Sequence, residues 1–422
     1  VTHVELINIG TELLLGATPN THQSWLGRRL AALGYPVQRQ LCVGDDAAAI
    51  GQAVRESLGR AGLVIVTGGL GPTADDLTRP VVAELLGCPL REDPLVLEHI
   101  EQVFRARGRP MPVGARVQAL VPAGATVLPN LHGTAPGLAM SVPGEAFGAP
   151  GTRRLVILLP GPPRELHPMF QNEVVPLLLD RLPQAEGFAC RTLRSTGLSE
   201  SVVEERLAEP LAPLVELGLE IGYCARPGEV DVRLLCRGEE ASAVVHQAEQ
   251  LVRARLGKHV FGVDDDQLET VIVRLLTARK QTLALAESCT GGIIAHRLTN
   301  VPGASAVFLC GLVTYGYHSK EYFLGVHAET LATHGAVSEQ TAREMAEGAR
   351  QRSGADFALA VTGIAGPSGG SRAKPVGTVY LALATAWDTN VVHRFNPYDR
   401  ETFKYVTSQQ ALELLRQALL AG

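Results

Sequence analysis

The chain has 422 residues, more than one hydrophobic core normally organises, so two or three domains are expected. Apolar residues make up 46% and charged residues 19%, with Gly 44 and Pro 26, a balance that excludes a disordered chain and suits strands and helices joined by tight turns. The formal net charge of −5 leaves no basic footprint for a nucleic-acid backbone, so a phosphorylated small molecule is the expected partner, held by local donors, an arginine or a metal.

From Val1 the residues alternate as in a strand, without the basic and apolar regions of a signal peptide, and no stretch is long and apolar enough to span a bilayer. A soluble, cytoplasmic protein is expected, with no membrane partner. The pattern predicts strands at Val4–Ile9, Val37–Val43 and Leu63–Thr67, with helices at Ser24–Leu33 and Ala48–Leu58 between them. Such β-α units point to a largely parallel sheet, joined late by Leu155–Leu159 after a surface loop at Val142–Thr152.

A small α+β pattern follows, with strands at Arg191–Ser195, Leu219–Cys224, Val230–Cys236 and Val260–Phe261 and helices at Glu200–Leu217 and Ala241–Leu256. Asp264, Asp265 and Asp266 mark the next boundary as helix-start carboxylates, by capping or, alternatively, by metal binding. A second α/β pattern then runs to the end, with helices from Leu268, Gly292 and Ser338 and strands at Thr282–Glu287, Leu309–Tyr315, Phe357–Thr362 and Gly377–Thr385. The expected domains are residues 1–170, 171–262 and 263–422. The seven cysteines are odd in number and never spaced as C-x-x-C, which indicates neither a disulfide framework nor a zinc site.

Ala286-Glu287-Ser288-Cys289-Thr290-Gly291-Gly292 lies where a buried strand gives way to a helix, the geometry that exposes a hydroxyl beside unpaired N–H groups. Ser288 is a candidate nucleophile; helix capping by Ser288 or Thr290 is the alternative, and Cys289 is a rival without a local histidine. Thr314-Tyr315-Gly316-Tyr317-His318-Ser319-Lys320 and Thr362-Gly363-Ile364-Ala365-Gly366-Pro367 are two further strand exits, and strand ends of open α/β sheets are where ligands bind. His318 is expected at the surface.

In the first domain, Thr67-Gly68-Gly69-Leu70-Gly71-Pro72-Thr73-Ala74-Asp75-Asp76 reads as strand, Gly-rich loop and helix start, so N–H groups can approach a phosphate. It matches neither the P-loop nor the dinucleotide fingerprint. Aspartates beside a phosphate repel it unless a divalent cation intervenes, so metal-assisted phosphate chemistry is one reading and helix capping by Asp75 or Asp76 the other.

Together these segments resemble the competence/damage-inducible protein A (CinA) family. The C-terminal likeness rests on A-E-S-C-T-G-G, V-T-Y followed by a lysine, G-A-V-S-E at Gly335–Glu339, T-G-I-A-G-P, K-P-V-G-T-V at Lys374–Val379, and Asp399-Arg400. It implies an α/β nicotinamide mononucleotide deamidase domain with Ser288 as nucleophile, Lys320 as general base, Tyr315 and Thr362 in support, and Arg400 orienting the nucleotide, without a cofactor. Lys320 must then act as a neutral amine, its pKa lowered by burial or by a cation such as Arg400. N–H groups near Gly291 or Gly363 are the expected oxyanion donors, with Gly292 a further expected substrate contact.

The N-terminal likeness rests on the Gly-rich loop together with Asn8–Gly16, Val43–Asp46, Gly133–Gly137 and Leu159–Pro163, and is to the molybdopterin-binding fold. It implies an ADP-ribose pyrophosphatase that releases AMP with magnesium, manganese or cobalt. Asp45 and Asp76 are the implied catalytic acids and Asp75 and Asp76 the implied metal ligands. Gly68, Gly69, Gly71, Thr73, Glu12 and Asn20 are the expected substrate neighbours. The family often has Asn where this chain has His22. The middle segment resembles the family's KH-like domain but has no G-x-x-G loop, so a spacer or dimerisation role within a homodimer is expected. Two alternatives stay open: a non-catalytic nucleotide-binding N-terminal module, and a nucleic-acid-associated protein linked to competence.

Overall fold

The computed structural model describes residues 3–148, 150–182 and 187–421. The chain forms two compact bodies, Val1–Cys190 with Arg237–Glu240, and Arg191–Cys236 with Ala241–Gly422.

The first body begins with β1 (Val4–Ile9), the short α1 (Thr11–Leu14), α2 (Thr21–Ala32), β2 (Val37–Val43), α3 (Ala47–Arg60), β3 (Leu63–Thr67) and α4 (Thr78–Leu85). It continues with β4 (Leu90–Glu92), α5 (Pro94–Ala106), β5 (Leu120–Pro122), β6 (Thr126–Leu128), β7 (Gly137–Pro143), β8 (Arg153–Leu159), α6 (Pro163–Met169) and α7 (Val175–Arg181). The main sheet has the order β2-β1-β3-β8-β7-β6. Its first four strands are parallel, while β7 and β6 are antiparallel.

Every residue of β1 and β3 is buried, because helices cover both faces, and such strands read as unbroken apolar runs. Ile7, Val64 and Val66 pack on one face with Ile50 and Val54 of α3, while Leu6 and Ile65 pack on the other with Leu26 and Leu30 of α2. The segment expected as a surface loop from Val142 instead begins inside β7, and a 3₁₀ turn follows at Gly144–Phe147.

The middle module contains β9 (Phe188–Thr196), α8 (Glu200–Glu216), β10 (Glu220–Arg226), β11 (Glu229–Arg237), α9 (Ala241–Leu256) and β12 (Val260–Val263), with sheet order β10-β11-β9-β12. After it come α10 (Leu268–Arg279), β13 (Leu283–Glu287), α11 (Ile293–Thr299), β14 (Phe308–Val313), α12 (Tyr317–Leu324) and α13 (Ala328–His334). The chain closes with α14 (Glu339–Ser353), β15 (Phe357–Gly363), β16 (Thr378–Ala384), β17 (Thr389–Phe395) and α15 (Arg400–Ala421). The expected aspartate cap at Leu268 is not formed. Gln267 occupies the N-cap position, while Asp264 accepts from Thr192 N and Asp266 from Val263 N, so these acids tie the preceding turn to β9 and β12.

The C-terminal sheet has the order β14-β13-β15-β16-β17, parallel over β14, β13 and β15 and antiparallel thereafter. Alternating alanine and leucine sets its two faces. Ala284, Ala286, Ala358 and Ala360 let α14 approach closely, and Leu285, Leu359, Leu381 and Leu383 fill the thicker layer under α10 and α15. Among the described residues, no helix is long and apolar enough to cross a membrane.

Candidate functional sites

Two cross-strand bonds set the C-terminal site. Ser288 N–H donates to Val361 O at 3.0 Å and Thr314 N–H to Glu287 O at 2.8 Å, so the exits of β13, β14 and β15 meet at one rim. Glu287, only 1% exposed, accepts from the N–H groups of Gly292 (2.9 Å), Ile294 (3.2 Å) and Ala295 (2.9 Å). This carboxylate therefore satisfies the orphan donors at the start of α11, where the helix dipole also favours it. The capping alternative for Ser288 and Thr290 fails for that reason, and the serine hydroxyl is left for other work.

Lys320 lies on α12, an element absent from the expected pattern, and its side chain is completely buried. Its Nζ stands 3.0 Å from Ser288 Oγ, 2.6 Å from Thr314 O and 3.3 Å from Tyr315 O. Carbonyls only accept, so a neutral amine gives its two protons to them and turns its lone pair to the serine hydroxyl. Burial lowers the Lys320 pKa from 10.5 to about 8, slightly opposed by the Cys289 thiol. Of the two expected causes, burial is the one that acts.

Arg400 sits elsewhere: it donates to Gly366 O at 2.9 Å and to the Tyr315 hydroxyl at 2.8 Å, joining two of the motif loops. Thr362 donates to Ala336 O at 2.7 Å, tying β15 to the Gly335–Glu339 segment. The rival nucleophile Cys289 is 5% exposed, and burial pushes its pKa up to about 12, so it is a neutral thiol. His318 is exposed, as expected.

The expected oxyanion donors are partly committed. Gly292 N–H belongs to Glu287, and Gly291 N–H turns back to Ser288 O at 3.1 Å. Gly363 ends β15 opposite Val379. The buried hydroxyls of Thr290 and Thr314 have no partner among the described residues. Lys404, one turn along α15 from Arg400, lies beside Gly291, so two cations flank this mouth.

In the first body, the turns after β1, β2 and β3 surround a cavity of about 420 Å³, walled by Glu12, Asp45, Gly68, Gly69, Gly71, Asp75 and Asp76 among others. Asp45 accepts from Thr11 N–H at 2.8 Å, and Asp45 N–H donates to the Thr11 hydroxyl at 3.1 Å. Asp76 Oδ2 accepts from Thr73 N–H (2.9 Å) and the Thr73 hydroxyl (2.5 Å) and leaves helix α4 uncapped, against the capping alternative. A Cβ at Gly71 would collide with that same carboxylate, and Gly68 holds φ at 93°.

Thr73 and Asn20, expected to touch substrate, are outside the cavity wall. Thr73 locks Asp76, and Asn20 caps α2 by accepting from Gln23 N at 3.1 Å. His22 does not line the cavity itself but bonds the carbonyl of Gly161, which does. Sequence reasoning missed Glu165 and Gln118, both in the wall, and neither lies in a recognisable spacing.

Among the described residues, no three Asp, Glu, His or Cys side chains gather into a metal-caging cluster. The donor set fits a different arrangement. A magnesium-like ion takes one or two carboxylates and fills its shell with water and phosphate oxygens. Asp45 and Asp76 each keep Oδ1 without a protein partner among the described residues, and Glu12, Asp75 and Glu165 make the wall strongly negative. A further cavity of about 830 Å³, walled by the middle module and by β16, β17 and α15, shares no residue with either site.

A family model described as the CinA C-terminal domain matches residues 265–419, one for the damage-inducible protein CinA KH domain residues 190–262, and one for a probable molybdopterin binding domain residues 5–180. A CinA-like protein of Akkermansia muciniphila is 47% identical over 416 residues, 98% of this chain and 97% of its own. The chain belongs to the CinA family. A CinA-like protein of Gemmatimonas aurantiaca is 43% identical over 420 residues, 98% of this chain and 96% of its own. A crystal structure of competence/damage inducible protein CihA from Agrobacterium tumefaciens is 49% identical, covering 36% of this chain and 93% of that one, with a TM-score of 0.34. The three-domain α/β plan of the CinA family is therefore that of this chain.

Proposed function

We propose that the C-terminal domain of this CinA-family chain hydrolyses the carboxamide of nicotinamide mononucleotide, giving nicotinate mononucleotide and ammonia. The observation that carries the reading is the 3.0 Å contact between a fully buried lysine amine and Ser288 Oγ. Neutral Lys320 takes the Ser288 proton as Oγ attacks the carboxamide carbon. The resulting ammonium stands next to the developing negative charge and then gives its proton to the departing amine, so ammonia leaves and a serine ester remains. The neutral amine next activates water, which cleaves the ester and restores Ser288. Arg400 and Lys404 offer the phosphate a cationic mouth, a pairing that a neutral amide substrate would not use.

The N-terminal domain, in the same proposal, cleaves ADP-ribose to AMP and ribose 5-phosphate. Five carboxylates around the cavity would repel a diphosphate, so a divalent cation held by Asp76 and Asp45, with Asp75 beside them, is part of this reading. Such an ion, when bound, offsets charge on the transferred phosphoryl group. The Thr73 and Thr11 bonds hold these two carboxylates in place.

One incubation with both substrates, with and without chelator, tests both halves. Ammonia should appear in either condition and AMP only without chelator. Absence of ammonia defeats the first assignment, and absence of AMP with magnesium, manganese or cobalt makes the N-terminal domain a binding module.

A further inference from the structure

The N-terminal cavity contains a side chain with no assigned task. Gln118 is 2% exposed and lies in the wall, and its Oε1 is buried without a partner among the described residues. The amide orientation follows from its surroundings. Nε2 faces Leu70 O at 3.5 Å, and a carbonyl only accepts, so the amide oxygen is the atom left over. Buried polar atoms without partners are rare in native proteins and call for a ligand or an ordered water.

The loop next to it is held by a second buried side chain. Arg79, 4% exposed, makes no ion pair among the described residues and donates to Val117 O (2.5 Å), Leu70 O (3.0 Å) and Gly71 O (3.4 Å). A buried guanidinium given over to backbone carbonyls fixes the Gly-rich loop and, through Val117, the turn carrying Gln118. Because the carbonyl of Leu70 points to Arg79, the N–H of Gly71 across the same planar peptide points the other way. Beside the loop that Arg79 holds, the wall presents one neutral acceptor, the Gln118 amide oxygen.

We infer that Gln118 is a specificity-determining residue of this cavity, its amide oxygen accepting a hydrogen bond from an amino or hydroxyl group on the nucleoside part of a nucleotide. The inference rests on the nucleotide reading of the N-terminal domain. Among carboxylates that need a cation before they tolerate phosphate, an uncharged acceptor distinguishes a nucleotide from a bare diphosphate, which has no neutral donor to offer.

Titration calorimetry with magnesium present, on the full chain and on Gln118→Met, decides it without any turnover. AMP should bind the variant about tenfold more weakly, the loss of one buried hydrogen bond, while inorganic pyrophosphate should bind both proteins alike. Equal AMP affinity in the two proteins, no AMP binding to the unmodified chain, or a matching loss for pyrophosphate overturns the inference. Failure of the parent reading shows separately, as no AMP release from ADP-ribose by the unmodified chain. Thermal melting keeps the result clear, because methionine keeps the side chain's length, removes the unpaired amide oxygen and leaves Leu70 O its Arg79 donor, so the midpoint should not fall.

Discussion

Replacing Lys320 with methionine removes a buried amine whose folded pKa has fallen from 10.5 to about 8. That displacement corresponds to about 3 kcal/mol of destabilisation at neutral pH, because the unfolded chain keeps a proton that the folded chain resists. The folded pKa is the lower one, so the penalty is full below about pH 8 and fades as pH rises toward the unfolded value. Between about pH 7 and about pH 9.5, the unmodified chain should therefore gain about 2 kcal/mol relative to Lys320→Met. Methionine also leaves Thr314 O and Tyr315 O without their donor, costing about 1 kcal/mol, but that loss does not vary with pH and drops out of the comparison. Urea denaturation of the second body's transition at several pH values reads the effect directly. Parallel stability curves for the two proteins would show that the amine is not desolvated, and the argument for its neutrality would fall with them.

Two other outcomes follow from the same geometry. Ammonia release should be low near about pH 6 and rise through about pH 8 as the Lys320 amine loses its proton, and a flat initial-rate profile across that window would contradict a lysine base. Glu287→Gln keeps one acceptor where three N–H groups need a carboxylate, so stability should drop by about 2 kcal/mol in denaturant titration and turnover should fall with it. Unchanged stability would mean that the start of α11 does not depend on Glu287.

Much of the fold could be read from periodicity. The buried strands β1, β3, β13 and β15 are short apolar runs between turn residues, and their parallel pairing follows from the helices between them. β17 was not legible, because Thr389–Phe395 is a sheet edge with exposed polar positions, and α12 was hidden in a Tyr-Gly-Tyr-His-Ser-Lys stretch of weak amphipathicity. Ser288 stands out as a candidate because a strand exit carries it, whereas Lys320, Tyr315 and Thr362 are singled out by the family resemblance of their motifs. The placements of Glu287 and Gln118, and the bond from Arg400 to the Tyr315 hydroxyl, were not legible, since a carboxylate that satisfies N–H groups, an arginine bonded to a tyrosine hydroxyl and an amide oxygen left unpaired are facts of three-dimensional placement. The acids at Asp264–Asp266 misled for a related reason: local spacing allowed a helix cap, but the neighbouring strands offered better donors.

The most direct test is ammonia release from nicotinamide mononucleotide by purified Ser288→Ala and Cys289→Ala proteins with intact melting transitions. The serine variant should lose at least about a thousandfold in turnover, whereas the cysteine variant, which loses a thiol held neutral by burial, should keep most of its rate. Near-unmodified turnover by Ser288→Ala, or loss confined to Cys289→Ala, would contradict the account.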